Sequence, residues 1–247
     1  GIKSFRMKKV VTIHDLIFEH YPSYYPSIDR FFYRQKTKYA CETSDVIICA
    51  SEQTKQDLCN MYHVTENKIK VVYQSLQEEI IREENIDIHR PYLVYVSSFN
   101  ARKNHSRLLQ AFALSGLPKA LDLVLIGRSN KESDKLKHEA VSLKIEDKVR
   151  WIHHADDGMV YNYLKQAKGI VYPSEYEGFG IPILEGFRAG VPVLTSNVSS
   201  MKEVGQDASI FVDPSDIDSI KEGLIKLVYD DTQNAHLITR GKELLLT

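Results

Sequence analysis

Short runs of β-branched and apolar residues alternate with helix-length amphipathic segments from one end of this chain to the other. Strand signals fall at 10–14, 46–50, 69–73, 92–97, 121–127, 149–153, 169–173, 191–196 and 209–212. A strand followed by a helix-length crossover returns to pair in parallel, so the pattern predicts an α/β fold with parallel sheets. The intervening helices carry apolar faces to cover those sheets. Met159, Val160, Tyr163, Leu164 and Ala167 share one face after Asp157. Ile217, Ile220, Leu224, Leu227 and Val228 form another stripe behind Ser215, read as its N-cap, with Asp218 in the first turn.

The alternation breaks once. From Gln77 the chain reads Gln-Glu-Glu-Ile-Ile-Arg-Glu-Glu-Asn, charged and without strand pattern, until Pro91 opens a new strand. We read 77–90 as a linker and 91–247 as a complete doubly wound unit. Residues 1–76 hold three strands, few for a sheet covered on both faces, and read as the remainder of a truncated first domain.

Composition matters mainly for what it excludes. Lys and Arg number 32 against 33 Asp and Glu, a net charge of −1, so no global basic field recruits nucleic acid. Basic stretches at 3–9 and at Arg30, Arg34, Lys36 and Lys38 allow a weak membrane-surface association at most. Cys41, Cys49 and Cys59 lack metal-ligand spacing and read as reduced thiols of a cytoplasmic protein. No apolar run reaches the roughly 18 residues of a membrane span.

The densest chemistry lies at 177–185, Glu-Gly-Phe-Gly-Ile-Pro-Ile-Leu-Glu. It follows a strand and opens a helix expected over 181–189, with Pro182 in the first turn, where a missing N–H costs nothing. Glycines let backbone N–H groups approach a ligand, and a helix N-terminus favours electron-rich groups. Glu177 in the turn and Glu185 one helical turn in are both acceptors, suited to a ligand rich in hydroxyls such as a sugar and a ribose. An arbitrary pair of glutamates at this spacing is most often surface charge; the turn, proline and helix around this one favour a ligand loop.

Arg102-Lys103-Asn104 follows the strand at 92–97, and ligands of open parallel sheets sit beyond the carboxyl ends of strands. Two adjacent cations there suit a diphosphate, Arg by paired hydrogen bonds and Lys as a point charge. His14, at the end of the first strand, is placed to meet a substrate hydroxyl or to cap the strand end. His153 and His154 are adjacent and, on a strand, would point to opposite faces, so they read as a loop near a nucleotide base, and no metal site is expected.

Taken together, these segments resemble the retaining glycosyltransferases of family 4. The resemblance rests on 172–180, on 185–193, on Met201-Lys202-Glu203-Val204-Gly205, on Val212-Asp213-Pro214 and on Arg102-Lys103-Asn104. In the first half it rests on Thr12-Ile13-His14-Asp15 and on 50–55. It implies the GT-B architecture of two facing Rossmann-like domains, here with the N-terminal one truncated. It further implies that Glu177 contacts the donor sugar, with Gly178, Phe179 and Gly180 supplying backbone contacts, and that Glu185 binds the ribose. Lys103 with Arg102 would stabilise the diphosphate leaving group, and His14 would sit near the transferred sugar. The cations take the place of a metal, and no cofactor is expected beyond the nucleotide-sugar donor.

The chain departs from the family pattern at Ser97 and Ser98, where relatives carry a glycine and often a further Arg, and at Gln74-Ser75, where Asn-Gly is usual. The expected activity is transfer of a hexose, with mannose favoured, to a glycan or lipid-linked acceptor in bacterial surface polysaccharide synthesis. The setting implied is cytoplasmic, peripheral at the inner membrane face. A sugar-nucleotide epimerase of GT-B shape and a non-catalytic nucleotide-sugar-binding module share the same donor chemistry; turnover with an acceptor, isomerisation without one, or binding alone separates the three.

Overall fold

All nine expected strands form, each within two residues of its expected bounds, in a computed structural model that describes residues 7–76, 86 and 88–246. The expected linker at 77–90 falls largely outside the described residues, as does most of the basic stretch at 3–9. The chain divides into two compact units, Gly1–Gln74 with Glu177–Phe179, and Ser75–Tyr176 with Gly180–Thr247.

The first unit runs β1 (Val10–Ile13), α1 (Ile17–His20), α2 (Ser27–Thr43), β2 (Val46–Cys49), α3 (Glu52–Tyr62) and β3 (Ile69–Val71). Its strands pair in parallel in the order β1-β2-β3, with Val10 opposite Val46 and Ile47 opposite Ile69. Leu16, Phe18, Cys41, Ile47, Cys49, Leu58, Val64 and Ile69 form its core. Burial pushes the Cys41 thiol up to about 11, so it packs as a small apolar group. Ser51 caps α3 by accepting from the Thr54 N–H, and His63 ends the helix in the left-handed conformation.

The second unit contains β4 (Tyr92–Val96), α4 (His105–Leu114), β5 (Asp122–Ile126), α5 (Lys131–Ser142), β6 (Val149–Ile152), α6 (Asp157–Lys165) and β7 (Gly169–Tyr172). It continues through α7 (Ile181–Ala189), β8 (Val193–Ser196), α8 (Ser200–Gly205), β9 (Ser209–Val212), α9 (Ile217–Tyr229) and α10 (Asp231–Leu244). Its six parallel strands stand in the order β6-β5-β4-β7-β8-β9. Ile170 pairs with Val193, and both lie under Gly186 of α7; Leu194 and Val212, on the opposite parity, lie under Gly223 of α9. Period-two alternation therefore puts α7 and α9 on opposite faces of the sheet. Each face loses its water, and β5, β7 and β8 are buried along their whole length.

Two details differ from the sequence reading. The N-cap of α9 is Asp216, whose carboxylate accepts from the Asp218 N–H, because the Ser215 hydroxyl and N–H both bond Asp213 instead. The polar helix α10 was not anticipated; Asp230 caps it, and it packs on α7. Its weak apolar pattern hides it from a periodicity argument.

Candidate functional site

In the second unit the chain steps outward from β4 through β5 to β6, then crosses to β7 on the other side of β4 and runs outward again to β9. The topological switch point lies between β4 and β7, and ligands of open parallel sheets bind beyond the carboxyl ends of strands at such a point. The loops at these ends carry Arg102 and Lys103 after β4, and the 173–180 segment after β7.

The loop after β4 is tightly specified. Asn100 accepts from the Lys103 N–H at 3.3 Å, Ala101–Lys103 form one 3-10 turn, and Asn104 adopts φ 60 before α4 begins. Asn tolerates this left-handed conformation better than other residues with a Cβ. Its buried side chain donates to Pro173 O at 3.0 Å and to Pro214 O at 2.7 Å, and accepts from Arg107 at 2.9 Å. Arg107 also pairs with Glu175 at 2.7 Å, and the Glu175 N–H donates to Arg102 O at 2.9 Å. The Arg102 guanidinium donates to Tyr176 O. The two loops are therefore cross-tied, and the cations sit on a braced backbone rather than a solvated tip.

Lys103 is held by its neighbours. Its Nζ donates to Tyr172 Oη at 3.2 Å and stands 5.0 Å from that ring's centre. His105, in the first turn of α4, bonds Ser97 Oγ through Nε2 at 2.9 Å and stacks on Tyr95 at 4.7 Å. Burial, aided by the Lys103 charge, pushes His105 down to about 3 and keeps it neutral. The serines that depart from the family pattern thus have local roles: Ser97 holds His105, and Ser98 accepts from Asn100 at 2.9 Å.

Gly180 precedes α7 at φ 121, a backbone setting that disfavours any residue with a Cβ, and Pro182 lies in the helix's first turn as expected. Glu185 is half-buried on α7. Burial raises its carboxyl above the ordinary range; Arg188 opposes that shift and Asp157 reinforces it. A carboxylate kept from water in this way gains more from a hydroxyl donor than an exposed one does.

Glu177–Phe179 group with the first unit. There Ser51 Oγ donates to Gly178 O at 2.8 Å, and Tyr73 lies against Phe179 at 5.8 Å. A Cβ on Gly178 would stand 2.5 Å from His14 O, so close backbone approach demands glycine. Glu177 is 8% exposed. His14 is exposed at the end of β1; its Nδ1 accepts from Gln74 Nε2 at 3.3 Å, which leaves Nε2–H as the ring's donor. The departure at Gln74 is therefore the partner of His14, a link that spacing alone could not reveal. Asp15 is used locally, accepting from the Ile17 N–H at 3.1 Å at the start of α1.

His153 and His154 lie beyond the end of β6, so the strand-parity argument applied to them does not hold. His153 donates from Nδ1 to Gly127 O at 3.0 Å, a loop tie between β5 and β6. Among the described residues, no group of three His, Cys, Asp or Glu side chains converges as metal ligands would.

Comparison with known proteins bears on the family and the fold. Residues 2–79 match the model of Glycosyltransferase Family 4. An Escherichia coli O-antigen chain mannosyltransferase B is 29% identical over 95% of this chain and 65% of its own length. The Salmonella typhimurium O-antigen chain mannosyltransferase RfbU is 25% identical over 84% of this chain and 57% of its own length. The chain thus spans less than two thirds of these relatives. Sucrose-phosphate synthase from Thermosynechococcus elongatus superposes with a TM-score of 0.81 at 20% identity, covering 99% of this chain and 64% of that one. Anabaena Alr3699/HepE, solved with UDP and glucose, superposes with a TM-score of 0.79 at 15% identity, covering 96% of this chain and 66% of that one. These neighbours place the fold among GT-B glycosyltransferases. Because the model of Glycosyl transferases group 1 matches residues 77–244, the chain belongs to that family.

Proposed function

We propose that this chain carries the donor site of a retaining glycosyltransferase that moves a hexose from a nucleotide-diphosphate sugar to an acceptor hydroxyl. The observation that carries this reading is the seating of Arg102 and Lys103 on a cross-tied loop at the switch point of the second sheet. Fixed cations there lose little freedom when a diphosphate arrives and strengthen their hold as the leaving group gains charge. Glu185 takes the ribose hydroxyls, Glu177 the sugar, with Gly178, Phe179 and Gly180 nearby, and His14 Nε2–H donates to a sugar hydroxyl. In the step itself the acceptor oxygen bonds the anomeric carbon as the bond to the diphosphate breaks. The departing diphosphate takes the acceptor's proton on the same face, so the configuration is retained.

Mannose and surface polysaccharide are our choices of sugar and product class, supported by the mannosyltransferase names of the two relatives. The acceptor is a glycan or a lipid-linked glycan. A weak hold on an anionic membrane surface at the cytoplasmic face fits α2, whose Ile28, Phe31, Phe32 and Tyr39 are exposed beside Lys36 and Lys38. With cations offsetting the diphosphate, activity should survive chelation by EDTA; loss that only Mg²⁺ or Mn²⁺ restores would overturn that part.

A thermal-shift screen of UDP-, GDP- and ADP-sugars tests the donor site. A binder at a hundred times its Kd stabilises by about 2.7 kcal/mol. GDP-mannose should raise Tm more than the other donors. If no sugar nucleotide at millimolar concentration moves Tm, the reading fails.

A further inference from the structure

We infer that Tyr172 is a positioning residue for Lys103: it fixes where the ammonium stands, while Tyr95 fixes the main chain beneath it. The inference rests on the reading of Lys103 as a diphosphate-binding cation, and adds the parts that aim it.

A lysine side chain has four rotatable bonds, so a cation expected to meet a developing charge needs something to hold it. Lys103 is held at both ends. At the backbone end, Tyr95 Oη donates to Lys103 O at 2.8 Å. That hydroxyl has one proton, so the Ser174 hydroxyl, 3.1 Å away, donates to it in turn. Tyr95 is 1% exposed, and Asn104, the next residue after Lys103, is itself tied by its side chain to Pro173 O and Pro214 O. At the head, Tyr172 supplies an acceptor oxygen at 3.2 Å, which places the ammonium at the hydroxyl edge of the ring, 5.0 Å from its centre.

Neither tyrosine is free to follow the lysine. They meet edge to face at 5.8 Å, and His105 stacks on Tyr95 at 4.7 Å. Tyr172 belongs to β7, where its carbonyl accepts from Thr195 Oγ1 of β8 at 3.1 Å. The two strands flanking the switch point, β4 and β7, thus each contribute a buried tyrosine to one cation. A tyrosine in a strand between buried neighbours reads as core, and its ring is core; the hydroxyl is what the apolar role leaves over.

Tyr172→Phe tests the hydroxyl while keeping the ring and the packing. Competitive acetylation of the 247-residue chain, read by peptide mapping with the exposed Lys226 as internal reference, reports how firmly Lys103 Nζ is held. We expect the Lys103-to-Lys226 labelling ratio to rise at least about threefold in Tyr172→Phe and further in Tyr172→Leu, at unchanged far-UV circular dichroism; charge-assisted hydrogen bonds are of that size or larger. An unchanged ratio in Tyr172→Phe overturns the inference, whatever Lys103 does. A second arm measures GDP and UDP binding by calorimetry across a double-mutant cycle with Lys103→Met. Tyr172→Phe should weaken binding about threefold to tenfold in the parent and leave it unchanged in Lys103→Met, because the two act as one unit. Equal losses in both backgrounds would make Tyr172 merely structural and overturn the inference. Should Lys103→Met itself bind both nucleotides like the parent, the proposed donor site fails, and the labelling ratio alone decides the positioning claim.

Discussion

In the six-stranded sheet, β5, β7 and β8 are buried at every position, and β4 is buried at all but its last. In the three-stranded sheet, β1 alternates exposed and half-buried residues, and β2 alternates half-buried and buried ones. The residue types scarcely differ: Val-Val-Thr-Ile and Val-Ile-Ile-Cys in one, Gly-Ile-Val-Tyr and Val-Leu-Thr-Ser in the other. What differs is cover. Helices on opposite faces close the second sheet, and burial follows from them rather than from strand composition. A consequence for function is that the second sheet can hold its strand-end loops rigidly, and the cross-ties around Arg102, Lys103 and Asn104 depend on that.

The comparison breaks most directly in the strands themselves. Leu123→Ala, at a fully buried position in β5, should cost about 2–5 kcal/mol by deleting core contacts and leaving a cavity. Val10→Ala in β1, where the side chain is 58% exposed, should fall within about 0.5 kcal/mol. Denaturant unfolding monitored by circular dichroism measures both; similar costs would mean the exposed and covered strands are equally coupled to their cores.

If donor chemistry resides on the second unit's braced loops, Lys103→Ala should lower kcat by about 10²–10³, the scale for removing a group that stabilises charge developing in the transition state. KM should change less, since the leaving diphosphate gains charge only as the sugar departs. A parental kcat would return the Arg102-Lys103 loop to a surface role. The contrast sharpens with binding alone. Glu185→Ala should weaken nucleotide affinity by about 1.5–3 kcal/mol, the usual value of a hydrogen bond to a charged group, whereas His14→Ala in the first unit should leave free nucleotide binding unchanged. Calorimetry with GDP and UDP would show the reverse if the first unit held the nucleotide.

A pH dependence carried by His105 of the second unit extends the comparison. His105 is held near pKa 3 in the folded protein against 6.5 unfolded, so between those values the unfolded chain binds the extra proton. Stability should therefore be complete above about pH 6.5 and fall as pH drops toward 3, with a slope of up to about 1.4 kcal/mol per pH unit from this group. His105→Phe, which binds no proton, should flatten that part of the profile. An identical slope in the variant would place the dependence on the carboxylates.

Periodicity alone made the α/β architecture legible, because alternating short β-branched runs and amphipathic helices leave a parallel sheet as the only way to bury both. The Gly-Phe-Gly turn, Pro182 and the Arg102-Lys103 pair were legible too, since glycine, proline and adjacent cations restrict backbone and charge locally. Local rules misplaced the α9 cap, where Ser215 and Asp216 compete and only the Asp213 hydrogen bonds decide between them. They missed Gln74 as the partner of His14, 60 residues away, and Asn104 as the tie to Pro173 and Pro214. They also gave no reason to single out Tyr95 and Tyr172, which as strand residues carry no periodic signal beyond core. The sequence by itself determined which segments are strands, and which are helices apart from the polar α10, because those choices depend on near neighbours. The tertiary structure decided which strand ends meet at the switch point, which polar atoms pair across it and where a lysine head is held, because these depend on strand order and on packing between residues far apart in the chain.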